Sequence, residues 1–324
     1  MKGQYVADIK VGDEIREVFL LSRKVIREKK GGGYFLTLEI SDRTGGIEGV
    51  IWENAEELNR KVKIGDFIFI TGIVNEYNGR PQIVVQNINS VAEKDIDPTD
   101  FLPTTEYNTD DLYIELVKFT EHIKNPHLRL LFSRFFPENP KTVEEKNFVS
   151  NLKKTPAAMK AHHARIGGLL EHTLTTIKIA LALSQVYTKT DKDLLLVGTA
   201  LHDIGKTQEY SCKNRFVTSD TGKLLGHILI SYDMVKEQMH KIKDFPEELA
   251  NRVLHMVISH HGEFEWGSPT KPKFLEALIL HFIDNLDSKV EMILETIKRE
   301  TDSETGWSDY HPFLEREIYL RDSG

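Results

Sequence analysis

The chain has 324 residues, of which 40% are hydrophobic and 28% are charged, and its formal net charge at pH 7 is −8. This length predicts two domains with enough apolar residues for packed cores. The acidic balance excludes a histone-like basic coat but leaves room for a local basic groove. The single cysteine, Cys212, excludes an intrachain disulfide and fits a reducing compartment. No stretch reaches the about 20 apolar residues that span a bilayer, and no apolar signal segment follows Met1, so we expect a cytoplasmic protein without a membrane partner.

Residues 1–95 have the pattern of a small β-barrel. Strand-forming runs separated by turn signals fall at residues 15–25, 34–40, 47–52, 67–74 and 82–85. Asn78-Gly79 between the last two runs is a strong hairpin signal, and a short helical piece at 55–62 falls between the third and fourth. Five strands with a helix in that position are the plan of an OB-fold.

This first domain carries aromatic and basic side chains of the kind that bind single-stranded RNA or DNA, by base stacking and by a cationic track along the backbone. The aromatic candidates are Tyr34, Phe35, Trp52, Phe69 and Tyr77. Strand alternation predicts that about half of them face the core. The basic candidates lie on the first strand and beside the Gly31-Gly32-Gly33 loop, and they are Arg23, Lys24, Arg27, Lys29 and Lys30. A solvated charged loop is the alternative interpretation of this basic cluster.

The rest of the chain is predicted to be helical. Residues 96–160 are expected to form a linker, broken by Pro98 and Pro103, and then a helical extension, because apolar residues recur at helical spacing between 112 and 136. Residues 161–300 are expected to form an all-α bundle. Residues 301–324 are too aromatic for a disordered tail and are expected to pack on the body. The expected fold is therefore multi-domain, with an OB-fold barrel followed by helices.

Three sets of polar side chains stand at the ends of apolar helical runs in the third segment. They are His202-Asp203, His260-His261 and Asp284. Such groups are costly to bury unless they are paired or bound to a metal ion. Imidazole and carboxylate ligands suit Mn, Fe, Co, Ni or Zn, and the lack of cysteines in the pattern argues against a structural zinc site.

The sequence motifs around these residues are similar to those of a known superfamily. The motifs in order are GGLLEHT (167–173), LHDIGK (201–206), GKLLGHI (222–228), SHHG (259–262) and DNLDSK (284–289). The series His172, His202-Asp203, Asp284 resembles the HD phosphohydrolases, which are all-helical and metal-dependent. The whole set, from about residue 5 to about residue 320, resembles the YhaM-type 3′–5′ exoribonucleases.

The resemblance implies two divalent metal ions. One ion would be held by His172, His202, Asp203 and Asp284, and the second by His227, His260 and His261, with Asp203 bridging. Mn²⁺ is the first choice, and Co²⁺, Fe²⁺, Ni²⁺, Mg²⁺ or Zn²⁺ also suit these ligands. A hydroxide between the ions would attack the phosphodiester, which gives Asp203 a catalytic role. For His227 the alternative is a helix-capping or surface histidine.

Several residues near these motifs are candidates for contacts with the substrate. Lys206 stands four residues after His202 and, on a continuing helix, would share a face with it and reach a phosphate oxygen as a catalytic point charge. A solvated lysine is the alternative. His162, His163 and Arg165 are candidates for the substrate phosphate beside a helix N-terminus. His281 either orients a metal ligand or is a histidine of the core.

The resemblance implies hydrolysis of single-stranded RNA from its 3′ end to nucleoside 5′-monophosphates. The residues alone do not separate RNA from DNA, since no group that reads the 2′-hydroxyl is identifiable, and they leave open whether the protein is a homo-oligomer. One rival is an HD-type nucleotide or cyclic-dinucleotide phosphohydrolase, but no Gly-Tyr-Pro sequence follows His202-Asp203. Two others are a di-iron oxygenase and a non-catalytic protein that binds single strands.

Overall fold

The computed structural model describes residues 2–92, 94, 96–159, 163–212, 216–300 and 305–321. The chain forms two compact units, one built mainly from Met1–Thr104 and the other from Thr105–Ser211 together with Val217–Gly324. No helix within the described ranges combines the length and the apolarity that crossing a membrane would need.

The first unit is the predicted barrel. Its strands are β1 (Glu14–Glu28), β2 (Tyr34–Asp42), β3 (Gly45–Ile51), β4 (Phe67–Tyr77) and β5 (Arg80–Val91), and helix α1 (Ala55–Lys61) joins β3 to β4. The sheet closes in the order β1-β2-β3-β5-β4, with β3 and β5 parallel. The OB-fold prediction is confirmed, including the position of the helix.

Alternation along the strands builds the core of the barrel. On β2, Leu36, Leu38 and Ile40 are fully buried, and the residues between them face outward. At the β4–β5 turn, Asn78 has φ 52° and Gly79 has φ 74°. A type I′ hairpin requires positive φ at both positions, which is why Asn-Gly predicts it correctly.

The prediction that about half of the aromatic candidates face the core is wrong. Tyr34, Trp52 and Tyr77 are exposed, and Phe35 and Phe69 are half-buried. The reason is that aliphatic side chains already fill the barrel. Phe69, for example, points outward between the fully buried Ile68 and Ile70.

Residues after the end of β5 still contact the barrel. The ring of Phe101 lies 4.8 Å from that of Phe67, and the carbonyl of Asp100 accepts a hydrogen bond from Arg43 N at 3.1 Å. The compact unit therefore runs to Thr104, beyond the last strand.

The second unit is helical. Its helices are α2 (Thr109–Lys118), α3 (Pro126–Phe135), α4 (Val143–Leu152), α5 (Gly168–Val186), α6 (Lys192–Leu201), α7 (Lys206–Glu209), α8 (Asp220–His240), α9 (Glu247–Ser259) and α10 (Leu275–Arg299). A two-stranded ribbon, β6 (Tyr210–Cys212) and β7 (Phe216–Thr218), precedes α8. The helical region predicted between 112 and 136 is confirmed, with a break where a 3₁₀ turn (Phe119–His122) gives way to the Asn125 cap of α3.

Helix α6 occupies the centre of this unit. Residues 194–201 are all buried, and α6 packs against α3, α5, α9 and α10. A helix that is apolar on every side belongs in the interior of a fold. The residues that follow its last turn, His202 and Asp203, therefore lie inside the protein.

The described part of the C-terminal segment, residues 305–321, doubles back on itself. Isolated bridges join Trp307 to Tyr319 and His311 to Arg316. Leu314 and Ile318 are buried, so part of this segment is shielded from solvent.

Candidate metal centre and strand-binding surface

The predicted metal ligands come together from five helices. Helix α5 carries His172 and α10 carries Asp284, α8 carries His227, and the turns after α6 and α9 carry the other four. All seven lie in the second unit.

Glycines allow the supporting elements to approach closely. A Cβ at Gly205 would lie 2.4 Å from the carbonyl oxygen of His227 and 2.5 Å from the amide nitrogen of Ser231. The amide of Gly205 donates to Ser231 Oγ at 2.7 Å. Gly226, with φ 71° and ψ 156°, interrupts α8 immediately before His227. The glycines of the LHDIGK and GKLLGHI motifs thus fit the backbone that brings His227 to Asp203.

The first ligand group has the spacing of a metal site. His172 Nε2 lies 3.2 Å from His202 Nε2 and 3.4 Å from Asp284 Oδ1, while Asp203 Oδ2 lies 3.4 Å from His202 Nε2. Ligands about 2.1 Å from one ion, at tetrahedral or octahedral angles, are about 3.0–3.4 Å apart. These four atoms therefore suit a single ion between them.

The second group lies on the other side of Asp203. Its Oδ1 atom is 3.4 Å from His227 Nε2 and 3.5 Å from His260 Nε2. Ligand atoms of His227, His260 and His261 all lie within 4.8 Å of one another. Each carboxylate oxygen of Asp203 thus faces a different group, which is the geometry of a bridging ligand.

Three of these atoms are buried without a hydrogen-bond partner among the described residues. They are Asp203 Oδ1, His227 Nε2 and His260 Nε2. Unpaired buried polar atoms are rare because each costs about 1–3 kcal/mol. A cation bound between them would remove that cost, so the side chains fit the metal that the HD resemblance implies.

Four of the seven candidate ligands are histidines whose second ring nitrogen, Nδ1, already makes a hydrogen bond within the protein. Their Nδ1 atoms donate to Thr199 O (His202, 2.6 Å), Val257 O (His260, 2.7 Å), Trp266 O (His261, 2.7 Å) and Asp287 Oδ2 (His172, 2.7 Å). Such hydrogen bonds fix the tautomer in which Nε2 carries the lone pair. His281 supports the same region, because its Nδ1 donates to the carbonyl of His260 at 2.9 Å.

The electrostatics favour ligating forms at neutral pH for three of the histidines and for Asp203. His172 is the exception, because burial would lower its pKa but the hydrogen bonds with Asp284 and Asp287 outweigh burial and raise that pKa to about 10. Burial lowers the pKa of His227 and of His260. Burial and the neighbouring His260 lower the pKa of His261 to about 4. Burial alone would raise the pKa of Asp203, but Lys206 and His202 outweigh it and hold that pKa well below its usual range. Neutral imidazoles and ionised carboxylates are the forms that bind metal.

Lys206 lies beside the bridging carboxylate. Its Nζ is 2.6 Å from Asp203 Oδ2, and the residue is 7% exposed. The helix expected to continue through this point ends instead at Leu201, and α7 begins at Lys206. The contact is therefore made across a turn, and the ammonium balances the charge of Asp203.

The structure places His163 and Arg165 behind His172. Arg165 pairs with Glu171 at 2.8 Å, Glu291 at 2.6 Å and Glu295 at 3.1 Å, so carboxylates already surround its guanidinium. His162, the third residue of this candidate set, lies outside the described residues.

Two supporting acids were not identified from the sequence. Asp287 accepts from His172, and Glu209 Oε2 lies 3.2 Å from His227 Nδ1. Asp287 stands three residues after Asp284, a spacing that places both on one face of α10. That spacing, visible in the DNLDSK motif, is the signal that could have found it.

The basic cluster of the barrel divides in two. Lys24 donates to the carbonyls of Asn59 and Val62 at the end of α1, and Arg23 pairs with Glu39 at 3.1 Å. Lys29 donates to the carbonyl of Trp52 and lies 6.0 Å from the centre of that ring. Arg27, Lys30 and Tyr34 are exposed.

An aromatic pair lies next to this cluster. The rings of Phe35 and Trp52 stack with centroids 4.9 Å apart and an interplanar angle of 25°. Trp52 is 47% exposed, so the stacked pair lies at the surface of the barrel.

Two family models match this chain, one in each compact unit. The HD domain family matches residues 169–289, and the OB-fold nucleic acid binding domain family matches residues 22–91. Among solved structures, a domain of replication protein A from Methanococcus maripaludis is 24% identical over 27% of this chain and 93% of its own, with a TM-score of 0.24.

Curated relatives match over nearly the whole length. The 3′–5′ exoribonuclease YhaM of Bacillus subtilis (strain 168) is 31% identical over 89% of this chain and 89% of its own. The protein of the same name from Geobacillus sp. (strain WCH70) is 34% identical over 90% of this chain and 89% of its own. This chain therefore belongs to the YhaM family of 3′–5′ exoribonucleases.

Proposed function

We propose that this protein is a metal-dependent 3′–5′ exoribonuclease that degrades single-stranded RNA to nucleoside 5′-monophosphates. The observation that carries the proposal is the position of Asp203, whose two oxygens lie 3.4 Å from His202 Nε2 and 3.4 Å from His227 Nε2. One carboxylate between two imidazole groups is the arrangement expected of a two-ion phosphodiesterase. The named activity of the curated relatives supports the direction and the substrate.

The seven side chains would hold two divalent ions, with Mn²⁺ as the first choice among metals that accept mixed nitrogen and oxygen ligands. When bound, such ions activate water at neutral pH and neutralise charge on phosphoryl oxygens. Among the proposed ligands, the side chains of Asp284 and His227 are 17% and 14% exposed, whereas that of Asp203 is 3% exposed. A substrate phosphate would therefore meet these more exposed ligands before it reaches Asp203.

We propose that Lys206 contacts the substrate phosphate beside Asp203. Its ammonium, which contacts Asp203 Oδ2 at 2.6 Å, would turn toward a phosphate oxygen when the carboxylate is shared with metal. A lysine is suited to this role because its single flexible charge moves at little cost.

The barrel is proposed to hold the strand. The Phe35–Trp52 stack offers a platform for a base, and Lys29, Lys30 and Arg27 supply positive charge nearby. Stacking and backbone contacts of this kind bind single strands with little regard for sequence. This assigns to the barrel affinity for the strand and leaves the chemistry to the helical unit. We propose that the protein acts in the cytoplasm, where its single cysteine, Cys212, would stay reduced.

The proposal is tested with Mn²⁺ and RNA oligonucleotides labelled at either end, with DNA of the same sequence beside them. Loss of the 3′ label as a mononucleotide, together with progressive shortening of the 5′-labelled strand, is the expected result. Internal fragments, shortening from the 5′ end or turnover of mononucleotides alone would each contradict it.

The matched control is Asp203→Ala. This variant should lose cleavage and keep its affinity for single-stranded RNA, measured by fluorescence anisotropy, because the barrel is unchanged. Degradation at the parental rate would show that the metal centre is wrongly assigned.

A further inference from the structure

A chain of buried hydrogen bonds leads away from the metal centre, on the side of His172 that faces the protein interior. We infer that His163, Arg165 and Asp287 form a relay that holds His172 in place as a ligand, so that they are positioning residues rather than contacts of the substrate phosphate. This inference rests on the proposed metal centre and goes beyond it by giving a function to residues that supply no ligand to either ion.

Asp287 connects the two histidines of the relay. Its Oδ2 accepts from His172 Nδ1 at 2.7 Å and from His163 Nε2 at 3.1 Å, and the residue is 7% exposed. An ionised carboxylate behind a ligating imidazole fixes the orientation of the ring and makes it a stronger electron donor.

His163 is held in an unusual conformation to make this contact. Its φ is 51°, in the left-handed region that few residues other than glycine adopt. The carbonyl of His163 accepts from Ala157 N at 3.1 Å and from Arg165 N at 2.8 Å. A Cβ at Gly168 would lie 2.1 Å from that carbonyl oxygen. The glycine that begins α5 thus makes room for the His163 backbone, which explains part of the GGLLEHT motif.

Arg165 settles the direction of the hydrogen bonds. Its Nη2 donates to His163 Nδ1 at 3.1 Å. A guanidinium has no acceptor, so His163 Nδ1 must accept, and Nε2–H is left to donate to Asp287. The protonation pattern of the relay follows from this one contact.

Every nitrogen of the Arg165 guanidinium also contacts a carboxylate. Nε and Nη2 pair with Glu171 at 3.1 and 2.8 Å, and Nη1 pairs with Glu291 at 2.6 Å and Glu295 at 3.1 Å. A substrate phosphate would have to displace one of these glutamates. The contacts instead join α5 to α10, the helices that carry the ligands His172 and Asp284.

A third metal ion is the other use of this cluster, because atoms of His163, His172 and Asp287 lie within 4.8 Å of one another. Two observations favour the relay. The guanidinium of Arg165 would repel a cation beside His163, and the 2.7 Å contact between His172 and Asp287 has the length of a charge-assisted hydrogen bond.

The relay is tested on the full chain by titration with Mn²⁺, with free Mn²⁺ counted by electron paramagnetic resonance. Asp287→Asn keeps the shape and removes the charge, and His163→Asn keeps a residue that tolerates positive φ but is too short to reach Asp287. We expect either change to weaken one class of Mn²⁺ sites about 10–100-fold. At saturating Mn²⁺, the KM for RNA should stay at the parental value and most of kcat should return.

Arg252→Gln is the matched control, because Arg252 is also a partly buried arginine, paired with Glu276 at 3.2 Å, on a helix that lies outside the relay. It should bind Mn²⁺ as the parent does. If Asp287→Asn fails to fold, Arg165→Lys tests the relay in its place, since it keeps the charge and loses the multiple contacts.

Unchanged Mn²⁺ affinity with a raised KM for RNA would overturn the relay and return His163 and Arg165 to substrate binding. Loss of a whole ion from the stoichiometry would favour the third metal site instead. A parent protein that binds no Mn²⁺ or leaves RNA intact would refute the proposed function, an outcome distinct from both.

Discussion

Lys206 Nζ lies 2.6 Å from Asp203 Oδ2 in the interior of the helical unit. The same oxygen faces the first ligand group, so the ammonium and a metal ion compete for the negative charge of Asp203. This competition makes the effect of removing Lys206 predictable in sign.

We expect Lys206→Met to raise the affinity for Mn²⁺ and to lower kcat about 10²-fold, because the competing charge is lost together with the proposed phosphate contact. Without metal, breaking this buried ion pair should cost about 3 kcal/mol of the free energy of unfolding. Isothermal titration with Mn²⁺ and steady-state kinetics check the two halves. Lys223→Met, which removes an exposed partner of Asp220, is the control and should change neither. Weaker Mn²⁺ binding by Lys206→Met would show that the lysine supports the ions rather than competing with them.

Removal of metal should lower the thermal stability of the helical unit. Asp203 Oδ1, His227 Nε2 and His260 Nε2 are buried without partners among the described residues, and ions that bind only the folded state stabilise it by mass action. At 100 times the dissociation constant, one ion contributes about 2.7 kcal/mol. Differential scanning calorimetry with EDTA and with excess Mn²⁺ measures the difference.

Asp203→Ala is the control for that experiment, because it removes the shared ligand and should lose most of the shift. Equal melting temperatures for the parent protein with and without Mn²⁺ would contradict a metal centre at these residues.

The close approach of α8 to the turn after α6 predicts a strict requirement for glycine. A Cβ at Gly205 would lie 2.4 Å from the carbonyl oxygen of His227, and this contact is with backbone, which cannot rotate away. We expect Gly205→Ala to destabilise the protein by about 1–3 kcal/mol and to weaken Mn²⁺ binding by displacing His227. Gly31→Ala is the control, since a Cβ there meets nothing within 4 Å. Thermal melts measure the stability of both variants, and titrations measure their affinity for Mn²⁺. An unchanged affinity for Mn²⁺ in Gly205→Ala would show that the turn can relax.

The sequence predicted most of the barrel and all seven ligand candidates, for different physical reasons. Alternation along β2 and the Asn78-Gly79 turn are local signals, and the structure follows them. The candidate ligands were recognisable because each sits in a short motif that resembles the HD phosphohydrolases, and five of the seven also stand at the ends of apolar runs. Both kinds of signal lie within a few residues of the feature that they predict.

What the sequence did not reveal depends on contacts between distant segments. His163 and Asp287 are 124 residues apart, and no local pattern joins them, so the sequence alone gives no reason to place His163 beside Asp287. The β6–β7 ribbon was missed because three-residue strands are too short to show alternation. The aromatic side chains of the barrel were misjudged because their direction depends on which residues had already filled the core.

Lys24 and Lys30 provide the last prediction, because both belong to one basic cluster and only one of them is free for a strand. Lys24 donates to the carbonyls at the end of α1, with 2.6 Å to Val62 O, where a cation also suits the helix dipole. Lys30 is exposed. We therefore expect Lys30→Met to weaken binding of single-stranded RNA and to reduce the salt dependence of the association constant by about 0.7 in slope. Lys24→Met should leave that slope unchanged and lower the thermal stability of the barrel.

Fluorescence anisotropy at several KCl concentrations measures the slope in the Asp203→Ala background, where the RNA stays intact. The comparison of Lys30→Met with Lys24→Met is informative because each change removes one positive charge from the same basic cluster. Equal loss of slope in both variants would mean that Lys24 leaves α1 to meet the phosphates, and no change in either would remove the basic cluster from strand binding. The two lysines differ in position, because Lys24 lies on β1, where it reaches the end of α1, whereas Lys30 follows the end of that strand at Glu28.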